Sequence, residues 1–154
     1  MSIWNIIRPM FKFYHPIEVR YGDLDPQGHL NNAKYLTYFE QARVAYIQHL
    51  GLWDGKSFLD VGMILAEVQV AFHAAVRFGQ EVRVGVQVTR LGGKSIKTTY
   101  CLEDTHTRKE LATGTALLVT YDYRVRQSIP IPEVWRHAIA TFENIPPSAE
   151  SLVP

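Results

Sequence analysis

The clearest periodicity in the chain lies between residues 33 and 50, where Tyr35, Leu36, Phe39, Ala42, Tyr46, Ile47 and Leu50 recur at three- and four-residue steps. That spacing lays one wide apolar stripe along a helix. Gly51 stands where helices commonly turn left-handed and stop. At the other end Asn31 or Asn32 can cap the start, which is expected near Ala33. A helix of about 18 residues runs about 27 Å at 1.5 Å per residue, so its stripe calls for a sheet broad enough to cover it.

Strand-like patterns lie on both sides of the helix. From His15 to Tyr21, Ile17, Val19 and Tyr21 alternate with polar neighbours as in a half-buried strand. Downstream, Gly62 to Ala75, Glu81 to Arg90, Ser95 to Asp104 and Glu110 to Tyr123 carry strand-like composition. Turn signals separate them at Gly79, at Gly92-Gly93 and over the polar run Asp104 to Lys109. Short connections favour antiparallel neighbours. The expected order is a strand, the long helix, a meander of four strands and a short terminal helix opening at Pro132-Glu133-Val134-Trp135, with proline in its first turn. The tail from Pro146 is expected to be mobile, and residues 1–154 to form one domain of the α+β class.

Composition narrows the function classes. A chain of 154 residues with 47% hydrophobic content can bury one core. Sixteen basic residues against 15 acidic ones leave a net charge of +1, which argues against a broad face for a nucleic-acid backbone. Cys101 is the only cysteine; it excludes an internal disulfide and a multi-cysteine metal site, agrees with a reducing compartment and reads as a core residue. Asn5, Arg8 and Lys12 interrupt the apolar stretch from Ile3 to Tyr14, and no small-residue cleavage site follows. No run approaches the roughly 20 apolar residues of a membrane span. A cytoplasmic protein with no membrane partner is the expectation. His73, His106 and His137 lack companions at zinc-like spacing. Phosphate-loop, dinucleotide-binding and serine-elbow patterns are also missing, so neither metal nor cofactor is expected.

The segment Tyr21-Gly22-Asp23-Leu24-Asp25-Pro26-Gln27-Gly28-His29-Leu30-Asn31-Asn32-Ala33-Lys34-Tyr35-Leu36, continued by Tyr38-Phe39-Glu40-Gln41-Ala42-Arg43, resembles the 4-hydroxybenzoyl-coenzyme A thioesterase family. The resemblance implies a hot-dog fold, in which an antiparallel five-stranded sheet wraps around one long central helix. It also implies active sites at the interface of paired subunits, in a homodimer or homotetramer. The activity it implies is hydrolysis of an acyl-coenzyme A or acyl-carrier-protein thioester. In that family the carboxylate matching Asp25 is catalytic, as nucleophile or as general base toward water. A thioester carbonyl becomes an oxyanion on attack, and a helix N-terminus offers unpaired N–H groups and a favourable dipole for it. The amides around Asn31 to Ala33 are the candidates, with Asn32 the first choice by its place in the motif.

The remaining candidates have plainer competitors. Asp-Pro-x-Gly is also common turn chemistry, and Asp23 is expected to cap the loop rather than react. His29 can orient substrate or water, or merely stabilise the loop. Tyr21, Gly28 and Asn31 are expected substrate contacts from the same motif. Glu40 and Arg43 stand three apart and can form a surface ion pair worth about 0.2–0.5 kcal/mol. The resemblance also gives Glu40 a catalytic reading, since other hot-dog thioesterases place their carboxylate on this helix, but Asp25 makes it redundant. The phosphates of coenzyme A need cationic donors, and Arg90, Lys94 and Lys97 on one hairpin could supply them or simply solvate it. A hot-dog enoyl-coenzyme A hydratase, whose Asp and His share one water, and a non-catalytic acyl-binding module remain the alternatives.

Overall fold

The computed structural model describes residues 11–57, 59 and 61–148. Its elements are β1 (Phe13–Ile17), α1 (Asn32–His49), β2 (Val61–Phe72), β3 (Val82–Leu91), β4 (Ser95–Asp104), β5 (Glu110–Asp122), β6 (Gln127–Ser128) and α2 (Glu133–Glu143). The strands form one antiparallel sheet in the order β1-β3-β4-β5-β2, and the two-residue β6 extends β5.

The apolar stripe of α1 explains where the core sits. Tyr35, Tyr38, Phe39, Ala42, Tyr46 and Ile47 are buried, in one cluster with Val84, Val86 and Val88 of β3 and Tyr100 and Leu102 of β4. Phe39 lies flat on Tyr100, with ring centres 4.8 Å apart and planes 9° apart. Such a pair adds about 0.5–1.5 kcal/mol beyond the area it buries. Gly114 on β5 makes room for it, since a Cβ there would stand 2.6 Å from the Phe39 ring. Cys101 is buried in β4, as its reading as a core residue anticipates.

The four-strand meander needs correction. β2 does not lie beside β3; it pairs with β5 from Val61↔Asp122 to Phe72↔Ala112, at the opposite edge of the sheet from β1. Residues 73–81 are too long for a tight hairpin and cross the end of the sheet instead. They are held there by the Leu30 N–H donating to the Val76 carbonyl at 2.9 Å and by a bridge between His29 and Arg77. β1 ends at Ile17, because Tyr21–Asp23 coil into a 3-10 turn that starts the loop before α1. Among the described residues, β6 makes the strands six rather than five.

The terminal helix forms where expected, after Pro132, and buries Trp135, Ile139 and Ala140. Its last residue, Glu143, is buried: Oε1 accepts hydrogen bonds from the Tyr46 hydroxyl at 2.7 Å and the Val88 N–H at 3.2 Å. Its Oε2 is buried with no hydrogen-bond partner among the described residues. Of the tail expected to be mobile, residues 149–154 lie outside the described part of the chain.

Candidate active site

The loop between the 3-10 turn and α1 is built around two aspartates with different duties. Asp23 is 1% exposed, and its carboxylate accepts from the Arg20 backbone N–H (3.2 Å), the Arg20 guanidinium (3.1 and 3.3 Å) and the Tyr38 hydroxyl (2.8 Å). Lys34 Nζ stands 3.8 Å away. Burial alone would raise this carboxyl, but the hydrogen bonds from Arg20 and Tyr38 outweigh it and hold the group below the ordinary aspartate value. The Tyr38 hydroxyl is pushed up, by burial first and by Asp23 second. With its oxygens occupied, Asp23 pins the loop to the flank of α1, in keeping with the capping role read for it.

Asp25 is held differently. Its N–H donates to the His29 carbonyl at 2.8 Å, and the Gly28 N–H donates back to the Asp25 carbonyl at 3.0 Å. Gly28 takes φ +79°, which a residue with a side chain adopts only with strain. Asp25 Oδ1 accepts the N–H groups of Gln27 (2.9 Å) and His29 (3.2 Å). Oδ2 accepts no hydrogen bond from the described residues. The carboxylate lies close enough to the first turn of α1 that its charge helps to raise the Tyr35 hydroxyl, second to the effect of burial. The Asp25 carboxylate is thus half-buried, fixed through one oxygen and without a hydrogen bond at the other among the described residues.

The helix start leaves one donor open. Asn31 is the cap, and its side chain accepts the Ala33 N–H at 2.9 Å. The Asn31 N–H donates to the Asp23 carbonyl at 2.9 Å, and the Lys34 N–H to the Asn31 carbonyl at 2.9 Å. The Asn32 N–H alone in this set meets no acceptor among the described residues. The expectation of several amides between Asn31 and Ala33 narrows to this one, since capping consumes its neighbours.

One helical turn beyond that N–H, cavities lie along α1 from Leu36 onward. Asn32, Leu36, Glu40 and Val44 follow at four-residue steps and share a face. Leu36 and Glu40 line a cavity of about 250 Å³ together with Leu65, Val68 and Tyr100. A second cavity of about 510 Å³ shares Glu40 and Arg43 with the first and continues past Ile47, Met63 and Trp135. Arg43 and Glu40 approach to 3.7 Å, the pairing expected from their spacing.

Other sequence candidates separate in space. Tyr21 stands beside the loop, 81% exposed, edge-on to Phe78 with ring centres 6.2 Å apart. Arg90 and Lys97 face each other across β3 and β4 and line a shared cleft. Lys94 turns instead to Ser128, with Nζ 3.3 Å from its hydroxyl and 3.5 Å from its carbonyl. All three lie at the far end of the β3–β4 hairpin, eight residues beyond Val82 and so about 26 Å along the strand, and one chain does not bring them to Asp25. Tyr35 is buried, as its periodicity marks it, and Phe78, beside Gly79 in the connection, is an exposed aromatic that sequence reasoning did not single out.

A single antiparallel sheet wrapped around one long helix defines the hot-dog class. The chain belongs to the thioesterase-like superfamily, whose sequence model matches residues 19–139. It is 27% identical over 94 residues to the uncharacterised protein YsmA of Bacillus subtilis, a match that covers 61% of this chain and 63% of YsmA, just under two thirds. It is 25% identical over 118 residues to a 1,4-dihydroxy-2-naphthoyl-CoA hydrolase of Synechococcus elongatus, covering 75% of this chain and 85% of that one. A thioesterase of Thermus thermophilus, solved with coenzyme A and zinc, superposes with a TM-score of 0.75 at 30% identity, over 88% of this chain and 98% of that one.

Proposed function

We propose that this chain is an acyl-coenzyme A thioesterase in which Asp25, as nucleophile or as general base toward water, and the Asn32 N–H act on the thioester carbonyl. Water supplies the oxygen of the new carboxylic acid, and the sulfur leaves as coenzyme A thiol. The observation that carries the reading is that Asp25 Oδ2, in the loop, and the Asn32 N–H, at the start of α1, are both left without a hydrogen-bond partner among the described residues. A donor fixed where the oxyanion develops is worth about 10²–10³ in rate. The motif's resemblance to the 4-hydroxybenzoyl-coenzyme A thioesterases and the activities named for the relatives support the same reaction. They favour coenzyme A over a carrier protein as the thiol.

The hydratase reading needs Asp and His side chains converging on one water. Here the contact from His29 to Asp25 is a backbone N–H, and the His29 ring has no hydrogen bond among the described residues. His29 and Tyr21 remain substrate-positioning groups in the proposal, and Arg90 and Lys97, which one chain does not bring to Asp25, would reach the nucleotide end of the ligand only from a second copy. The working unit is a homodimer of single-domain chains or a multiple of it. β2, twelve residues long at the sheet edge, exposes Ile64, Leu65 and Phe72 beside the groove, and a second copy would cover them. No helix among the described residues is long and apolar enough to cross a membrane, which suits a cytoplasmic enzyme.

The test is thiol release from a panel of short, long and aromatic acyl-coenzyme A esters. The proposal expects catalytic release from at least one of them. Hydration and binding release no thiol, so a panel that stays intact would remove hydrolysis.

A further inference from the structure

We propose that the groove along α1 contains a subsite for an acceptor oxygen on the far part of the acyl group, with Arg43 as the residue that reads it. The inference rests on the reading above, in which the carbonyl sits at the Asn32 N–H and the acyl group follows the groove.

Arg43 stands where the two cavities meet, among Leu36, Val44, Ile47, Met63 and Leu65. Its side chain is only 11% exposed, yet its charge is poorly matched. A guanidinium carries five N–H donors. One of them donates to the Tyr100 hydroxyl at 3.1 Å. The nearest carboxylate oxygen among the described residues, on Glu40, is 3.7 Å away, too far for a hydrogen bond, and its side chain is 70% exposed. Arg83 shows what a satisfied arginine looks like in the same chain. At 23% exposure it is less buried than Arg43, and it holds the buried Glu103 carboxylate at 2.7–2.8 Å.

The spare donors of Arg43 still reach water in the groove, and an acyl group that enters displaces that water at a cost unless it brings an acceptor. An acyl group with a hydroxyl or carboxylate oxygen at the right depth provides that acceptor. A purely hydrocarbon chain would instead cover the guanidinium and strip its remaining water.

The helix sets the depth. Arg43 lies eleven residues beyond Asn32, about 16 Å along the axis. Helical side chains lean toward the N-terminus, so the guanidinium stands nearer the carbonyl than its Cα does. An extended acyl group of about eight carbons brings its last atoms into that interval.

The experiment measures affinity apart from turnover. Non-hydrolysable oxoalkyl thioethers of coenzyme A, with an eight-carbon chain ending in methyl, hydroxyl or carboxylate, are titrated calorimetrically into the full chain, Arg43→Gln and Arg43→Lys. The wild type is expected to bind at least one oxygen-ended ligand about 10-fold or more tighter than the methyl-ended one, and which arm gains tells alcohol from carboxylate. In Arg43→Gln that gap should close to within about 3-fold, and Arg43→Lys should keep part of it. Equal affinity of the wild type for all three ligands would overturn the subsite whether or not either variant folds. A gap that persists in folded Arg43→Gln would overturn it too. Because these ligands cannot be hydrolysed, absent thiol release with an intact, Arg43-dependent gap would sink the proposed reaction and leave the subsite standing.

Discussion

Asn32 shows how one backbone atom can be tested without disturbing the fold around it. It is the first residue of α1, where proline is well tolerated, and Asn31 before it already has φ −63° and ψ 138°, the extended conformation a following proline requires. Asn32→Pro therefore removes the open N–H while keeping the helix. Turnover is expected to fall about 10²–10³-fold with the melting temperature nearly unchanged. Turnover within a few-fold of wild type would take the oxyanion role away from this amide. At this scale the sequence was legible at Asp23, read as a cap of the loop and found bonded to Arg20 and Tyr38. It was not legible where the outcome depends on which neighbour takes a hydrogen bond first. Two adjacent asparagines can each cap a helix; only the geometry assigns the cap to Asn31 and so frees Asn32. Arg43 is the counterpart on the helix face, since its spacing from Glu40 predicts an exposed pair and gives no sign that β2 and β4 close over it.

Among the elements, α1 was readable to within a residue at each end, because seven apolar positions at helical spacing and a glycine stop agree. The hairpin over Gly92-Gly93 was equally plain. The position of β2 was not, because periodicity reports which face is buried and says nothing of which partner strand is chosen. The partner follows from a nine-residue connection that the loop at Leu30 captures. α2 ends in an interaction that pattern cannot reveal, a glutamate carried into the core. Burial pushes the Glu143 carboxyl up, against the hydrogen bonds from Tyr46 and Val88. The folded chain then holds that proton to higher pH than the unfolded chain does. Its contribution to stability falls as pH rises from the ordinary glutamate value of 4.5 through the raised one. The melting temperature of the wild type relative to Glu143→Gln should accordingly decline from pH 4.5 toward neutrality. A difference that stays flat, or grows, over that range would contradict a carboxyl raised by burial.

For the whole molecule, the exposed apolar edge at β2 and the half-open groove beside it are the features a lone chain leaves unsolved. Light scattering is expected to give twice 17.6 kDa or a multiple of it, and Ile64→Lys on the exposed edge to shift the mass toward 17.6 kDa. A wild-type chain that runs at 17.6 kDa at micromolar concentration would leave the groove without its proposed cover. The central claim, that Asp25 performs thioester hydrolysis at the head of α1, is tested most directly by comparing thiol release by the wild type and Asp25→Asn on the best ester of the panel, with affinity for that ester measured alongside. The expected result is a loss of turnover of about 10²–10⁴-fold with affinity held within a few-fold. Turnover near the wild-type rate in Asp25→Asn would contradict it.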